Sequence, residues 1–455
     1  MKSVSISVGQ LSEFCRGGDI NFRFRVKSSS LEGIRGHQTV QKSRGEFYLA
    51  EHPISLSLNT LDMEIEVSGR IDGCWYDALR ELFCIEEIKT VRVEVEDIPA
   101  GILDKYWHQA ELYGYIVGRQ VRATHIMVRL CFYHLNKKSE TVLEKVIDIS
   151  SLTATFVDTV AFFTSILDQR QKWIASRNSS MGDLDFPYGE FRLGQRDLAI
   201  SVYRAIANNR QLVVQAPTGI GKTMATLYPS IKAMAHGAAD RLFYLSARNS
   251  TQELAQIALK DITSSGGKVR SIVITSKEKI CFTPGEPCHP DHCEYAREYY
   301  DLRQKTVQEM LGSDNHFDKT SIEIAARRHG VCPYELSLDL SRSCDVIIAD
   351  YNYVFDPSVY LRRYLGAGIK NSSALIDEAH NLVERGREMF SAEVSKESYL
   401  EIAQFYKKTA PALAKAAKSI DTEIVDLKKQ FTQQFETHGY VTSDQVPDSV
   451  VPLMQ

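Results

Sequence analysis

The chain has 455 residues, 44% of them hydrophobic and 25% charged, close to the averages of globular proteins, which excludes disordered, collagen-like and simple-repeat chains. At this length two or three domains are expected. Lys plus Arg number 54 against 58 for Asp plus Glu, a formal net charge of −4, so no bulk basicity points to nucleic acid and any such contact has to be local.

The first twenty residues carry Glu13, Arg16 and Asp19 with no apolar segment among them, and no run of about eighteen apolar residues stands out as a membrane span. A soluble, cytoplasmic protein is expected. Nine cysteines, an odd number in a long chain, argue against a secreted disulfide framework and for reduced thiols with metal or core roles. Cys15, Cys74, Cys84 and Cys131 are scattered, whereas Cys281, Cys288, Cys293, Cys332 and Cys344 fall close together.

In chain order, Leu61 to Thr90 alternates apolar and polar residues around turn-like Gly and Asp, which predicts a hairpin or meander. Leu103, Tyr106, Trp107, Ala110, Tyr113 and Val117 recur at helical intervals and predict a helix over 103–117. Val142 to Leu152 reads as a strand and turn, and Thr155 to Trp173 as a helix. From Ala175 to Glu190 the composition turns to Ser, Asn, Gly, Asp and Pro without periodicity, and the domain boundary is placed there. Beyond it, strand-like runs at 212–216, 242–245, 271–275, 346–349 and 374–376 alternate with helical stretches, the pattern of a parallel α/β sheet. Glu397 to Phe435 reads as helical.

Ala216-Pro217-Thr218-Gly219-Ile220-Gly221-Lys222-Thr223 fits the phosphate-loop pattern and lies between the 212–216 run and a helical stretch. The glycines turn backbone N–H groups toward phosphates, Lys222 neutralises the β and γ charge, and Thr223 is placed to hold Mg²⁺. The run 374–376 leads straight into Asp377-Glu378-Ala379-His380, where Asp377 would hold the metal's water shell and Glu378 would deprotonate the attacking water. Together these motifs resemble the superfamily-two helicases of DEAH type. The resemblance implies that His380 senses the γ-phosphate, that Gln195 in Phe191-Arg192-Leu193-Gly194-Gln195-Arg196 reads adenine, and that Ser246-Ala247-Arg248-Asn249 and Asp350-Tyr351-Asn352 contact single-stranded DNA.

Cys281, Cys288, Cys293 and Cys332 are spaced x6, x4 and x38 in a proline-rich, polar setting. Four thiolates can ligate a 4Fe-4S cluster or zinc; the uneven spacing contains one zinc-like pair, Cys288 with Cys293, so iron–sulfur is favoured over zinc and over unligated core cysteines. Their place between the motor motifs resembles the cluster domain of the XPD and DinG helicases, which implies the 4Fe-4S cofactor. Cys344 reads as core, and His289 and His292 as minor zinc candidates.

Near the amino terminus, Asp72 followed by Glu87-Ile88-Lys89 on a neighbouring strand has the form of a metal-dependent phosphodiesterase site, with carboxylates for Mg²⁺ or Mn²⁺ and a lysine beside the attacked phosphate. The bland reading is a solvated hairpin. Gly36-His37 before it and Gln109 with Tyr113 after it make the set similar to the RecB-like PD-(D/E)xK nucleases; the resemblance implies His37, Asp72 and Glu87 as metal ligands, with Gln109 and Tyr113 in support. Glu86 is a possible substitute ligand.

The resemblance divides the chain into a nuclease-like domain over 1–174, a linker over 175–190, a RecA-like motor over 191–280 and 341–393, a cluster insertion over 281–340, and the start of a helical arch over 394–455. Too few residues follow His380 for a second α/β domain of about 100–150 residues, and no Gly-Arg-x-x-Arg occurs among them, so the sequence looks like the front part of a longer helicase. The expected function is an ATP- and Mg²⁺-dependent DNA helicase fused to a nuclease, acting on single-stranded or forked DNA in repair. The rival is an ATP- and DNA-binding clamp whose nuclease-like domain is inactive.

Overall fold

The structure is a computed structural model and describes residues 2–15, 17–21, 30–59, 63–217, 219–359, 361, 371–393 and 395–440. Contacts divide it into two units, the first spanning 1–354 with 361–378 and the second 355–360 with 379–455. The first unit contains two mixed α/β layers.

The amino-terminal layer is a six-stranded sheet of β1 (Lys2–Ser7), β2 (Leu49–Asn59), β3 (Met63–Asp77), β4 (Leu82–Val91), β5 (His125–His134) and β6 (Ser139–Asp148), carrying α1 (Val8–Phe14), α2 (Ser30–Lys42), α3 (Ala100–Val121) and α4 (Ile149–Gly182). β3 is long enough to serve two partners on one side. Its residues 63–68 pair with β1 in parallel, and residues 73–77 pair with β4 antiparallel, while β2 covers its other side. β4 then runs parallel to β5. The β3–β4 ladder ends at Gly73 opposite Glu86, so Glu87, Ile88 and Lys89 lie just past the point where the two strands part. The hairpin expected over 61–90 and the helix over 103–117 are present; residues 61 and 62 lie outside the described ones.

The expected helix over 155–173 begins at Ile149, capped by the Asp148 carboxylate on Ser151 N–H at 2.9 Å, and continues to Gly182. Half of the 175–190 stretch is thus helix rather than open linker. α4 is long because its two ends bury different residues: Leu152, Phe156 and Phe163 join the amino-terminal core, and Met181 joins the core of the second layer. By length and composition it is also apolar enough to cross a membrane, although Ser, Thr and Asp residues interrupt its apolar run.

The second layer is a parallel sheet in the order β11–β7–β10–β8–β9, with β7 (Arg241–Leu245), β8 (Ser271–Val273), β9 (His316–Phe317), β10 (Val346–Ala349) and β11 (Ser372–Ile376). α5 (Gln195–Ala207), α6 (Lys222–Ala235) and α7 (Asn249–Ser264) pack around it. The strand expected over 212–216 is not formed. Among the described residues it has no hydrogen-bonded strand beside it, and Val213 is 97% exposed; apolar residues make a strand only where a neighbouring backbone completes the ladder.

Between β8 and β10 the chain inserts α8 (Lys277–Ile280), α9 (Tyr299–Ser313), α10 (Lys319–His329) and α11 (Pro333–Ser341), which carry the four clustered cysteines. The second unit is helical over Asn381–Met389, Lys396–Phe405, Pro411–Gln430 and Thr432–His438, in line with the reading of 397–435.

Candidate functional site

Three groups of residues singled out in the sequence are gathered in the first unit. At the phosphate loop, Gly221 takes φ +81° and leads directly into α6 at Lys222, so the helix N-terminus faces the loop, as anion binding requires. β11 delivers Asp377 and Glu378 beside it. The Asp377 N–H continues the ladder to Leu245 O at 3.0 Å, while the Tyr244 hydroxyl donates to Asp377 Oδ2 at 2.8 Å and the Glu378 N–H to Oδ1 at 3.0 Å. Burial and then the Asp377 charge raise the Tyr244 pKa, and a hydrogen bond with Thr223 opposes them, so Thr223, Tyr244 and Asp377 form one cluster. Lys222 Nζ lies 3.9 Å from Glu378 Oε1 and 3.5 Å from Ala216 O. The Tyr351 hydroxyl donates to the carbonyls of Asp377 and Glu378, which fixes this turn, with Glu378 at φ +51°.

Gln195 is 2% exposed. Its Oε1 accepts from Arg192 N–H at 3.0 Å and its Nε2 donates to Gly221 O at 3.2 Å; the Arg192 guanidinium donates to Gly219 O at 2.7 Å. The 191–196 turn therefore grips the phosphate loop through backbone oxygens. Pro217, Gly219 and Ile220 lie in the loop, and Thr218 is outside the described residues. Arg248 and Asn352 follow β7 and β10, adjacent strands, at the same end of the sheet as Asp377; Arg248 is exposed, and Asn352 Oδ1 is buried without a hydrogen-bond partner among the described residues. His380 heads the helix Asn381–Met389 in the second unit and is exposed.

The second group lies where β3 and β4 part. Asp72 Oδ2 accepts the Ile88 N–H at 2.6 Å, a donor the β3 backbone no longer reaches. Asp72 Oδ1 meets His37 Nδ1 at 3.2 Å. Burial works against a charged His37 imidazole, but the hydrogen bond and charge of Asp72 outweigh it and raise its pKa. Lys89 Nζ sits 2.6 Å from Glu87 Oε1 and 3.4 Å from Gln109 Oε1, over the Tyr106 ring. Burial, opposed by Lys89, pushes the Glu87 carboxyl up to about 7. Tyr113 is raised to about 12 by burial and then by the Glu87 charge, and hydrogen-bonds Gln109. All six expected residues thus share one locale.

Two expectations need correction. Glu86 is not a spare ligand: β4 alternation turns it to the opposite face, where it is fully buried and accepts from Arg44 Nη2 at 2.9 Å, Arg44 Nε at 3.1 Å and Tyr48 OH at 2.7 Å. And the ligand atoms that lie within 4.8 Å of one another, and so could hold a metal, are those of His37, Asp72 and Glu51, a residue the sequence reading did not include, while Glu87 pairs with Lys89. The β2–β3 register skips the one pair that sets Glu51 opposite Asp72, with Ala50 on Gly73 and His52 on Ile71 to either side. Glu51 has φ +53°, and Gln41 Nε2 donates to both its Oε1 and Asp72 O at 2.9 Å. The cross-strand position is a usable signal only once register is known. One imidazole nitrogen and two carboxylates suit a divalent cation such as Mn²⁺ or Mg²⁺, and the buried Glu87 charge is one such an ion would compensate.

The third group is the four cysteines. Cys332 caps α11 with Pro333 following; Cys281 ends α8; Cys293 is buried. Lys277 hydrogen-bonds Cys288, and the charges of Cys288, Cys281 and Cys332 all raise its pKa. The Thr283 hydroxyl donates to Cys293 Sγ at 3.3 Å and lies 3.9 Å from Cys281 Sγ. The thiols therefore converge around one ammonium and one hydroxyl. Cys344 is fully buried and donates to Leu340 O, a core residue as expected. His289 and His292 pair with Asp291 and Glu286.

Similarity to known proteins covers the second layer. Residues 197–282 match the DEAD/DEAH box helicase family model and residues 246–399 the DEAD_2 model. A regulator of telomere elongation helicase 1 homolog of Caenorhabditis briggsae is 22% identical over 320 residues, which is 58% of this chain and 31% of that protein. Its Anopheles gambiae counterpart is 24% identical over 267 residues, 46% of this chain and 26% of that protein. The chain thus spans about a quarter to a third of these relatives' length. A solved structure described as an XPD helicase is 19% identical, with a TM-score of 0.34, covering 50% of this chain and 40% of that one; a truncated XPD gives 20% and 0.35 over 49% and 64%. Over residues 197–399 the chain is similar to the DEAD/DEAH-box helicase domains of the DEAD_2 group.

Proposed function

We propose that the second layer is the ATP-hydrolysing half of an XPD-type, superfamily-two DNA helicase motor. The observation that carries this reading is the meeting of Lys222, Thr223, Asp377 and Glu378 at one sheet edge, with Lys222 Nζ 3.9 Å from Glu378 Oε1. Lys222 and the α6 N-terminus hold the triphosphate, Thr223 and Asp377 hold its Mg²⁺, and Glu378 orients and deprotonates the attacking water. Arg248 and Asn352 supply contacts to single-stranded DNA. The four convergent cysteines would hold a 4Fe-4S cluster, a reading their uneven spacing along the sequence favours over zinc. The nine cysteines, all free among the described residues, suit a reducing compartment, and the cytoplasm is the place we assign.

The amino-terminal layer is, on the same proposal, a metal-dependent DNA nuclease. His37, Asp72 and Glu51 hold the Mn²⁺ or Mg²⁺ ion, the buried Glu87 adds charge beside it, and Lys89, braced by Gln109 and Tyr106, stands at the scissile phosphate. An ion held there would supply a water of lowered pKa and charge to offset the phosphate. Both activities are tested on the purified chain. ATP turnover stimulated by single-stranded DNA should disappear in Lys222→Ala, and Mn²⁺-dependent DNA cleavage in Asp72→Ala, each variant leaving the other activity in place. Cleavage that persists without Asp72 sinks the nuclease assignment; turnover that persists without Lys222 sinks the motor.

A further inference from the structure

At the end of the parallel sheet opposite the phosphate loop lies a cavity of about 830 Å³, within the usual range of small-molecule sites. Arg241 and Ser372, the first residues of β7 and β11, line it, whereas Asp377 follows the other end of β11. Five residues at about 3.3 Å each separate the two ends by roughly 16 Å. α4 and α9 close the remaining walls.

Seven of the lining residues are Arg or Lys and one, Asp339, is a carboxylate, in a chain whose net charge is −4. Lys172 pairs with Asp168 at 2.7 Å and Arg303 with Asp339 at 3.4 Å, while other cations spend donors or ring contacts on neutral groups. Arg270 donates to Leu311 O and stacks on Trp173 at 3.7 Å, Lys268 donates to Ser176 Oγ at 2.8 Å, and Arg342 lies over the Phe14 ring at 4.8 Å. Arg170 does reach Asp345, but that carboxylate is shared with the buried Arg177. Positive charge therefore exceeds negative charge around the cavity. In addition, Arg270 Nε–H is buried with no acceptor among the described residues, which costs free energy. Burial depresses the Arg270 pKa, with the charges of Cys344 and Asp345 opposing it and that of Arg170 adding to it.

We infer that this cavity binds a phosphate-ester polyanion of nucleotide size, either a free nucleotide or a segment of a single strand, on Arg270, Arg342, Lys172 and their neighbours, with Trp173 and Phe14 providing ring surface. Guanidinium groups held by stacking present their edges to phosphate oxygens, and the mixed cationic and aromatic lining is what a nucleotide requires. This site is separate from the nucleotide site of the motor.

The test uses the purified chain carrying Lys222→Ala, which silences the phosphate loop, titrated calorimetrically with inorganic tripolyphosphate. One saturable site per chain is expected, weakened at least tenfold by Arg342→Gln and severalfold by Lys172→Glu, an exposed charge reversal that leaves the core alone. Competition by a twelve-residue oligothymidylate identifies the strand as the ligand, and competition by ATP but not by the oligonucleotide identifies the free nucleotide. Absence of saturable tripolyphosphate binding, or binding unchanged in both charge variants, overturns the inference.

Discussion

At the scale of single residues, the two adjacent glutamates of β4 make opposite demands. Glu86 is satisfied: fully buried, it takes four contacts from Arg44, Tyr48 and Arg129. Glu87 has Lys89 alone as an ion-pair partner among the described residues and is raised to about 7 by burial. Glu86→Gln should therefore cost stability, about 3–5 kcal/mol for a buried pair broken on one side, and leave Mn²⁺ affinity near its normal value. Glu51→Gln should do the reverse, lowering Mn²⁺ affinity tenfold or more at unchanged stability, because Glu51 is exposed and contributes charge rather than packing. Calorimetric Mn²⁺ titration beside urea unfolding separates the two, and metal affinity insensitive to Glu51 removes it from the site. Asp72, Glu87 and Lys89 were legible because their spacing is local along the chain. Glu51 was not, since its partner is set by a strand register that no run of residues spells out.

At the scale of elements, α2 reaches the site because Gly36 lacks a side chain. A Cβ there would stand 2.3 Å from Thr90 Cγ2 and 3.3 Å from Tyr133 Cδ1, so Gly36 lets the helix lie against β4 and β5 and set His37 on Asp72. Gly36→Ala should push the helix off, cost about 1–3 kcal/mol as overpacking does, and weaken Mn²⁺ binding through His37. Thr90→Ser removes the offending methyl, and the double variant should regain both stability and metal affinity; failure of that rescue means the helix position is set elsewhere. The same scale explains where periodicity misled. The 212–216 run has the composition of a strand but no ladder among the described residues, and α4 outruns its predicted end because Arg177 and Met181 are buried against the second layer, which local composition does not reveal.

At the scale of the whole molecule, the composition shift near residue 175 suggested separable domains, yet contacts place both layers in one unit. Much of the join is one carboxylate. Asp345, fully buried at the head of β10, accepts from Arg177 and Arg170 on Oδ1 at 2.9 Å each, and from Trp173 Nε1 at 2.7 Å and Arg270 N–H at 2.9 Å on Oδ2. Three of these donors are on α4, so the helix that ends the amino-terminal layer is anchored to the motor sheet at a point where charge cannot be rehydrated. The amino-terminal segment adds a second clasp: Arg303 of α9 donates to the carbonyls of Glu13 and Phe14, and Gly18 N–H donates to Asp301 at 2.8 Å.

Asp345→Asn keeps the size and one acceptor but removes the charge that offsets Arg170 and Arg177, and it turns an amide toward other donors. With Arg177 1% exposed, the cost should approach the 3–5 kcal/mol of a broken buried pair. It should also fall on the join rather than on either core, since the apolar clusters of the two layers do not include Asp345. Calorimetric unfolding should then resolve two transitions where the parent chain gives one, and limited proteolysis should open α4 between Ala175 and Gly182. A single transition at the parent temperature, with α4 still resistant, would show that the remaining contacts hold the layers together without this carboxylate.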